Sequence, residues 1–180
     1  RLLETVGPPG SYRHPALSPD GTRLAFNRTD QQAAGDIWLL DLSRQTLSRF
    51  TFNPGSEIFP VWFPDGSKIF YTSDQDGPSI YEKHSSGTGS EQLVFKGNYD
   101  SHSTSQVSPD GKLLLYFGRP AGQAAQDIFV LPLTSERVMQ EIDIWFLKHG
   151  YANNVSIVAG GPIGADCHHR GHGQLFTEQP

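Results

Sequence analysis

A Pro-Asp-Gly tripeptide occurs three times in this chain at a constant spacing, and this repeat restricts the folds available to it. The copies are Pro19-Asp20-Gly21, Pro64-Asp65-Gly66 and Pro109-Asp110-Gly111, and both intervals are 45 residues. Proline fixes φ at the first central position of a type I turn, aspartate bonds nearby backbone N–H groups, and glycine tolerates positive φ. We therefore assign these nine residues to structural turns between antiparallel strands rather than to a ligand site.

Short apolar segments repeat together with the tripeptide. Each copy is followed by an apolar strand and then by an Ile-aromatic pair, which is Ile37-Trp38, Ile80-Tyr81 or Ile128-Phe129. A fourth strand is clear at 47–51 and 92–95 and weaker at 137–139. The 19 glycines and 13 prolines suit many short strands joined by turns.

A single four-stranded sheet cannot bury both of its faces, whereas sheets stacked radially bury them against one another. The predicted fold is therefore all-β, a β-propeller of four-stranded antiparallel blades. Three blades are recognisable, at about 12–53, 54–98 and 99–138, and they form an incomplete ring because propellers have four to eight blades. The repeated aromatic residues are assigned to the core between blades.

The segments HPALSPDGTRLAF, FPVWFPDGSKIFYTS and SQVSPDGKLLLYFG resemble the PD40 family of propeller repeats, the TolB type, over residues 12 to about 138. The stretch at 36–73 also resembles the non-catalytic propeller behind the kinase domain of some bacterial Ser/Thr kinases. Similar propellers precede the hydrolase domain of prolyl-oligopeptidase-type peptidases. The resemblance implies an extracytoplasmic location, and neither a Gly-x-Ser-x-Gly elbow nor a His-Arg-Asp loop is present in the sequence.

The repeat stops near residue 139. A fourth Pro-Asp-Gly is due at 154–156, where Asn154-Val155-Ser156 stands instead, and residues 146–180 shift toward Gly, His, Asn and Ala. The segment 139–180 is therefore predicted to be an irregular tail. It could complete a blade irregularly, form a disordered end, or derive from a frame-shifted or truncated propeller gene, which is the explanation we favour.

Charge and hydropathy exclude two classes of partner. The net charge is −5 and no basic stripe is present, which argues against nucleic-acid binding. The longest uncharged, mostly apolar run, at 155–165, is far shorter than a membrane-spanning helix, so no membrane insertion is expected.

The sequence contains one possible metal-ligand cluster and one possible catalytic triad, and neither has the expected spacing. Cys167, His168, His169 and His172 are metal-ligand types, but they lie together in a Gly-rich segment without paired spacing. Asp100, Ser101 and His102 are neighbours in one predicted loop, whereas triad members come from separate elements. We expect no catalytic residue, no cofactor and no metal in this chain.

Binding by loops at one rim is the expected function, because propellers present their connections on a rigid scaffold. The loops entering each first strand are predicted at 10–14, 54–59 and 97–102. The chain is expected to be a non-catalytic module, binding a protein or a small ligand, within a larger bacterial sensor or scaffold protein such as a Ser/Thr kinase. The alternatives are the propeller portion of a prolyl-oligopeptidase-type serine peptidase and a TolB-like periplasmic scaffold. Two copies could also close a six-bladed ring. The candidate rim residues are Tyr12, Arg13, His14, Glu57, Tyr99, Asp100 and His102.

Overall fold

The computed structural model describes residues 5–29, 35–133 and 155–157, and this part of the chain is all-β. Its twelve strands form three four-stranded sheets, which are three propeller blades in an open arc. Over these residues no helix is long and apolar enough to cross a membrane.

Blade 1 and blade 2 are antiparallel meanders in chain order, with the first strand innermost. Blade 1 consists of β1 (Ser11–Leu17), β2 (Arg23–Thr29), β3 (Asp36–Asp41) and β4 (Thr46–Arg49). Blade 2 consists of β5 (Glu57–Trp62), β6 (Lys68–Ser73), β7 (Ser79–His84) and β8 (Gln92–Lys96).

Blade 3 has the same first three strands but a different outer one. Its strands are β9 (Tyr99–Val107), β10 (Leu113–Pro120), β11 (Asp127–Pro132) and β12 (Val155–Ile157). β12 pairs with β11 in parallel, which corrects the expectation of a fully antiparallel blade. A parallel pair needs a long connection, and residues 133–154 provide one. The strand predicted at 137–139 and the cluster from Cys167 to His172 lie outside the described residues.

Each Pro-Asp-Gly turn closes with the same hydrogen bond. The glycine N–H donates to the carbonyl three residues earlier, as from Gly21 to Ser18, at 2.8 Å in all three turns. The aspartate carboxylate accepts the N–H two residues later, and hydrogen bonds from Ser18 and Thr22 hold the pKa of Asp20 at about 2. The three glycines have φ between 71° and 73°, which favours glycine.

The hydrophobic cores lie between the blades. Between blades 1 and 2, Ala25, Ile37 and Phe50 pack with Trp62, Ile69 and Tyr71. Between blades 2 and 3, Phe70 and Ile80 pack with a set from blade 3, which is Val107, Leu114, Tyr116, Phe129 and Leu131. Burying each large apolar side chain contributes on the order of 2 kcal/mol, so stability depends on blade–blade contact.

The turn glycines give a test of this packing. A Cβ at Gly111 would lie 2.6 Å from Cζ of Phe63 in blade 2, whereas a Cβ at Gly21 would have no heavy atom within 4 Å. Gly21→Ala should lower the free energy of unfolding by about 1–2 kcal/mol through its positive φ alone. Gly111→Ala should cost about 1–3 kcal/mol more, because the ring of Phe63 must move. Urea unfolding of both variants measures the difference, and equal losses would contradict the contact.

Candidate functional site

The three innermost strands share an irregularity that the sequence analysis did not identify. β1, β5 and β9 each contain a β-bulge at the same place in the repeat. The bulged pairs are His14-Pro15, Phe59-Pro60 and Thr104-Ser105, which are again 45 residues apart. His14 and Phe59 have φ of 52° and 55°, so the backbone is held in the left-handed region. The X-Pro pairs at 14–15 and 59–60 were the available sequence signal.

The bulges of neighbouring blades contact one another around the axis. The ring of His14 packs on that of Phe59 with 4.0 Å between centroids. The hydroxyl of Thr104 donates to the carbonyl of Phe59. Burial, with a smaller effect from Arg13, lowers the pKa of His14, which favours the neutral imidazole at neutral pH.

These strands line a groove of about 800 Å³ on the inner side of the arc. Its walls are mainly apolar, and Trp62 is fixed by donating from Nε1 to the carbonyl of Ala16 at 3.0 Å. Ser105 and Gln106 add exposed hydrogen-bonding side chains. Such a surface can bind a partner by apolar contact and hydrogen bonds. Other residues along the groove are His14, Leu17, Phe59, Val107 and Phe117.

The predicted rim residues differ in exposure, and most lie in strands rather than in loops. β1, β5 and β9 begin at Ser11, Glu57 and Tyr99, so residues 11–14, 57–59 and 99–102 of the predicted loops are strand. Tyr12, Arg13 and Asp100 are exposed, and His14 and Tyr99 are half-buried. Glu57 and His102 are buried, so their assignment to a contact rim is corrected. Each of these two side chains lies between its own blade and the preceding one.

Glu57 lies at the junction of blades 1 and 2. Its N–H donates to the carbonyl of Gly35 at 2.9 Å, and its carbonyl accepts from Nδ2 of Asn27 at 2.6 Å. Oε1 accepts from the hydroxyl of Ser73 at 3.1 Å. Burial raises the pKa of Glu57 to about 7, against the effect of hydrogen bonds from Thr51 and Ser73. The negative charges of Asp36 and Glu91 raise it further.

His102 lies at the junction of blades 2 and 3 inside an aromatic cluster. Its ring centroid is 4.4 Å from that of Tyr99, 5.4 Å from Tyr116 and 5.5 Å from Phe95. Burial lowers the pKa of His102 to about 4, against a smaller effect of the Pro78 backbone. His102 is therefore neutral at physiological pH.

The neighbours Asp100, Ser101 and His102 do not converge on a reacting atom. They are consecutive residues of β9, and consecutive side chains of a strand point to opposite faces. The carboxylate of Asp100 instead pairs with the guanidinium of Arg119 at 3.6 Å. Over the described residues, no group of three or more His, Cys, Asp or Glu could hold a metal ion.

The bladed sheets, the inner bulges and the turns together define a β-propeller domain. The family model of the TolB β-propeller domain, PD40, matches residues 4–143. The chain therefore belongs to the PD40 family of TolB-type propeller domains.

Three known proteins illustrate the likeness. The Tol-Pal system protein TolB of Helicobacter pylori strain ATCC 700392 / 26695 is 26% identical over 110 residues, covering 58% of this chain and 26% of that protein. The crystal structure of TolB from Acinetobacter baumannii matches with TM-score 0.58 and 29% identity, over 67% of this chain and 29% of that one. A prolyl endopeptidase structure matches with TM-score 0.55 and 20% identity, over 69% of this chain and 21% of that one. The chain thus spans about a quarter of the length of these relatives.

Glu57 and His102 should give stability opposite pH dependences. The folded-state pKa of Glu57 is above its unfolded value of 4.5, so stability falls as pH rises from 4.5 to about 7. Glu57→Gln should remove this loss, and its Tm relative to wild type should rise by about 2–6 °C across that interval. Thermal unfolding followed by circular dichroism from pH 4 to 8 measures it. A constant difference would show that Glu57 does not titrate there.

The opposite sign holds for His102, whose folded-state pKa is below its unfolded value of 6.5. Stability is lost as pH falls from 6.5 to about 4, because the unfolded chain binds the proton more readily. His102→Phe keeps an aromatic ring in the cluster and should gain Tm relative to wild type by about 2–6 °C over that fall in pH. Parallel curves for variant and wild type would contradict the burial of a neutral imidazole.

Proposed function

We propose that this domain is a non-catalytic protein-binding module whose inner groove receives a segment of its partner. The observation that carries the proposal is the groove of about 800 Å³ formed by β1, β5 and β9. The bulges are held by contacts between blades, so the surface exists before binding and little ordering is needed.

The composition of the groove favours a protein segment over a small polar ligand. Trp62, Phe59 and Phe117 supply aromatic surface, which is enriched at the centres of protein interfaces. Ser105 and Gln106 are exposed beside them and can bond to a partner backbone. Charged side chains are absent from the described lining, as suits an interface core.

The relatives suggest a partner and a compartment. The curated relative is named as a Tol-Pal system protein, and we infer that the larger protein containing this domain acts outside the cytoplasm with a Pal-type protein. A kinase or a peptidase as the parent protein is the alternative. The prolyl endopeptidase structure, at 20% identity, supports a shared fold only. A catalytic domain in either parent would leave the role of this propeller as binding or gating.

Two matched glutamines test the groove. Gln106 lies exposed in the groove, and Gln92 lies exposed on the outer strand of blade 2. Gln106→Arg should weaken binding of purified Pal protein from the same bacterium at least about tenfold, because it places a long cation in an apolar interface. Gln92→Arg should leave the Kd unchanged. Isothermal titration calorimetry measures both.

Equal affinities for the two variants would place the binding surface elsewhere on the domain. An absence of Pal binding by the wild-type chain would exclude this partner for it.

A further inference from the structure

The bulge of β1 carries an imidazole where the bulges of β5 and β9 carry side chains that do not titrate. The equivalent positions, 45 residues apart, hold His14, Phe59 and Thr104. His14 and Phe59 share the left-handed backbone, at φ of 52° and 55°, so a phenylalanine fits the conformation that His14 adopts. The bulge therefore does not need an imidazole in order to form, and the presence of one in the groove calls for another explanation.

The imidazole of His14 lies between the groove and the junction of blades 1 and 2. It lines the groove, and its ring packs on that of Phe59 with 4.0 Å between the centroids. Nδ1 is buried and has no hydrogen-bond partner among the described residues. A neutral imidazole tolerates this, because it can carry its proton on Nε2 and leave Nδ1 as an unused acceptor. An imidazolium carries N–H on both nitrogens, so Nδ1 would become a buried donor without an acceptor.

The charged groups around His14 do not compensate a positive charge on its ring. The described lining of the groove contains no Asp, Glu, Lys or Arg side chain. β1 packs against β2 and β5. Arg23 and Arg28 of β2 lie over aromatic rings, and the carboxyl group of Glu57 in β5 accepts from a serine hydroxyl. Burial, and after it the neighbouring cation Arg13, lower the pKa of His14.

We propose that His14 makes the groove sensitive to protons, so that the groove binds its partner segment when the imidazole is neutral and releases the segment when the imidazole is protonated. The inference rests on the proposed function, in which the groove is the binding surface, and adds a regulator to that surface. A bound segment excludes water from the groove and removes the solvent that would stabilise an imidazolium. Binding of the segment and protonation of His14 therefore compete, and each weakens the other by the same factor.

This competition fixes the direction and the size of the pH dependence. Above pH 6.5, the ordinary pKa of a histidine, His14 is neutral and the groove binds at full affinity. The affinity falls as the pH drops through the lowered pKa of His14 in the free folded chain. Below that pKa, one linked proton raises Kd by up to about tenfold for each pH unit.

Isothermal titration calorimetry with purified Pal protein from the same bacterium, at about pH 7.5 and about pH 5, tests the proposal. Between these pH values, Kd of the wild-type chain should rise at least about twofold more than Kd of His14→Phe. Phenylalanine keeps a ring at the bulge, as Phe59 does, and cannot be protonated. His84→Gln is the matched control and should follow the wild type, because His84 is exposed at the end of β7 outside the groove. Circular dichroism at both pH values checks that every variant folds.

Nuclear magnetic resonance measures the same competition at His14 itself. The ring resonance of His14, assigned by its loss in His14→Phe, should titrate at lower pH in the Pal complex than in the free chain, whereas that of His84 should titrate alike in both. Equal pH dependence of Kd in wild type and His14→Phe, or equal titration of His14 in both states, would overturn this inference alone. A wild-type chain that does not bind Pal at about pH 7.5 would overturn the proposed partner and this inference together.

Discussion

Each blade has two apolar faces, and exposing either to water is costly, so the fold depends on the contact between neighbouring blades. The cores lie at these contacts rather than within any one sheet. Two cations reinforce the junction between blades 1 and 2. Arg23 lies 4.7 Å from the ring centroid of Trp62 and donates to the carbonyl of Ser85 at 2.8 Å. Lys83 donates to the carbonyl of Phe50 at 3.0 Å.

The equivalent inner-strand position carries a carboxylate at one junction and an imidazole at the next. Glu57 is surrounded by hydroxyl groups and near acidic side chains, whereas His102 is surrounded by aromatic rings. Burial acts on both by disfavouring the charged form, which raises the pKa of the acid and lowers that of the base. Their effects on the free energy of unfolding therefore have opposite signs between about pH 4.5 and 6.5 and partly offset each other there.

The fold was predictable because it rests on short local signals. The Pro-Asp-Gly turns and the Ile-aromatic pairs fixed the period, the strand order and the identity of the core. The starts of the inner strands were less predictable. Glu57 and His102 are polar residues that follow glycine-containing segments, and this pattern is typical of loops. The burial of both depends on the preceding blade, which no local pattern shows. The groove was missed because its bulges interrupt the alternation from which strand faces are inferred, and the parallel pairing of β12 is a long-range feature.

The prolines of the inner bulges have a consequence for self-association through backbone pairing. β1, β5 and β9 are terminal strands of their sheets, and such strands are templates for adding a foreign strand. Pro15 and Pro60 have no backbone N–H, and each lies within a β-bulge that bends its strand. A strand added at either edge would therefore lack one hydrogen-bond donor and could not pair in regular register. β9 has no proline at the same point: the N–H of Thr104 donates to the hydroxyl of Thr72, and the exposed Ser105 keeps a backbone donor. Among the three inner edges, amyloid-type strand addition is therefore least opposed at blade 3.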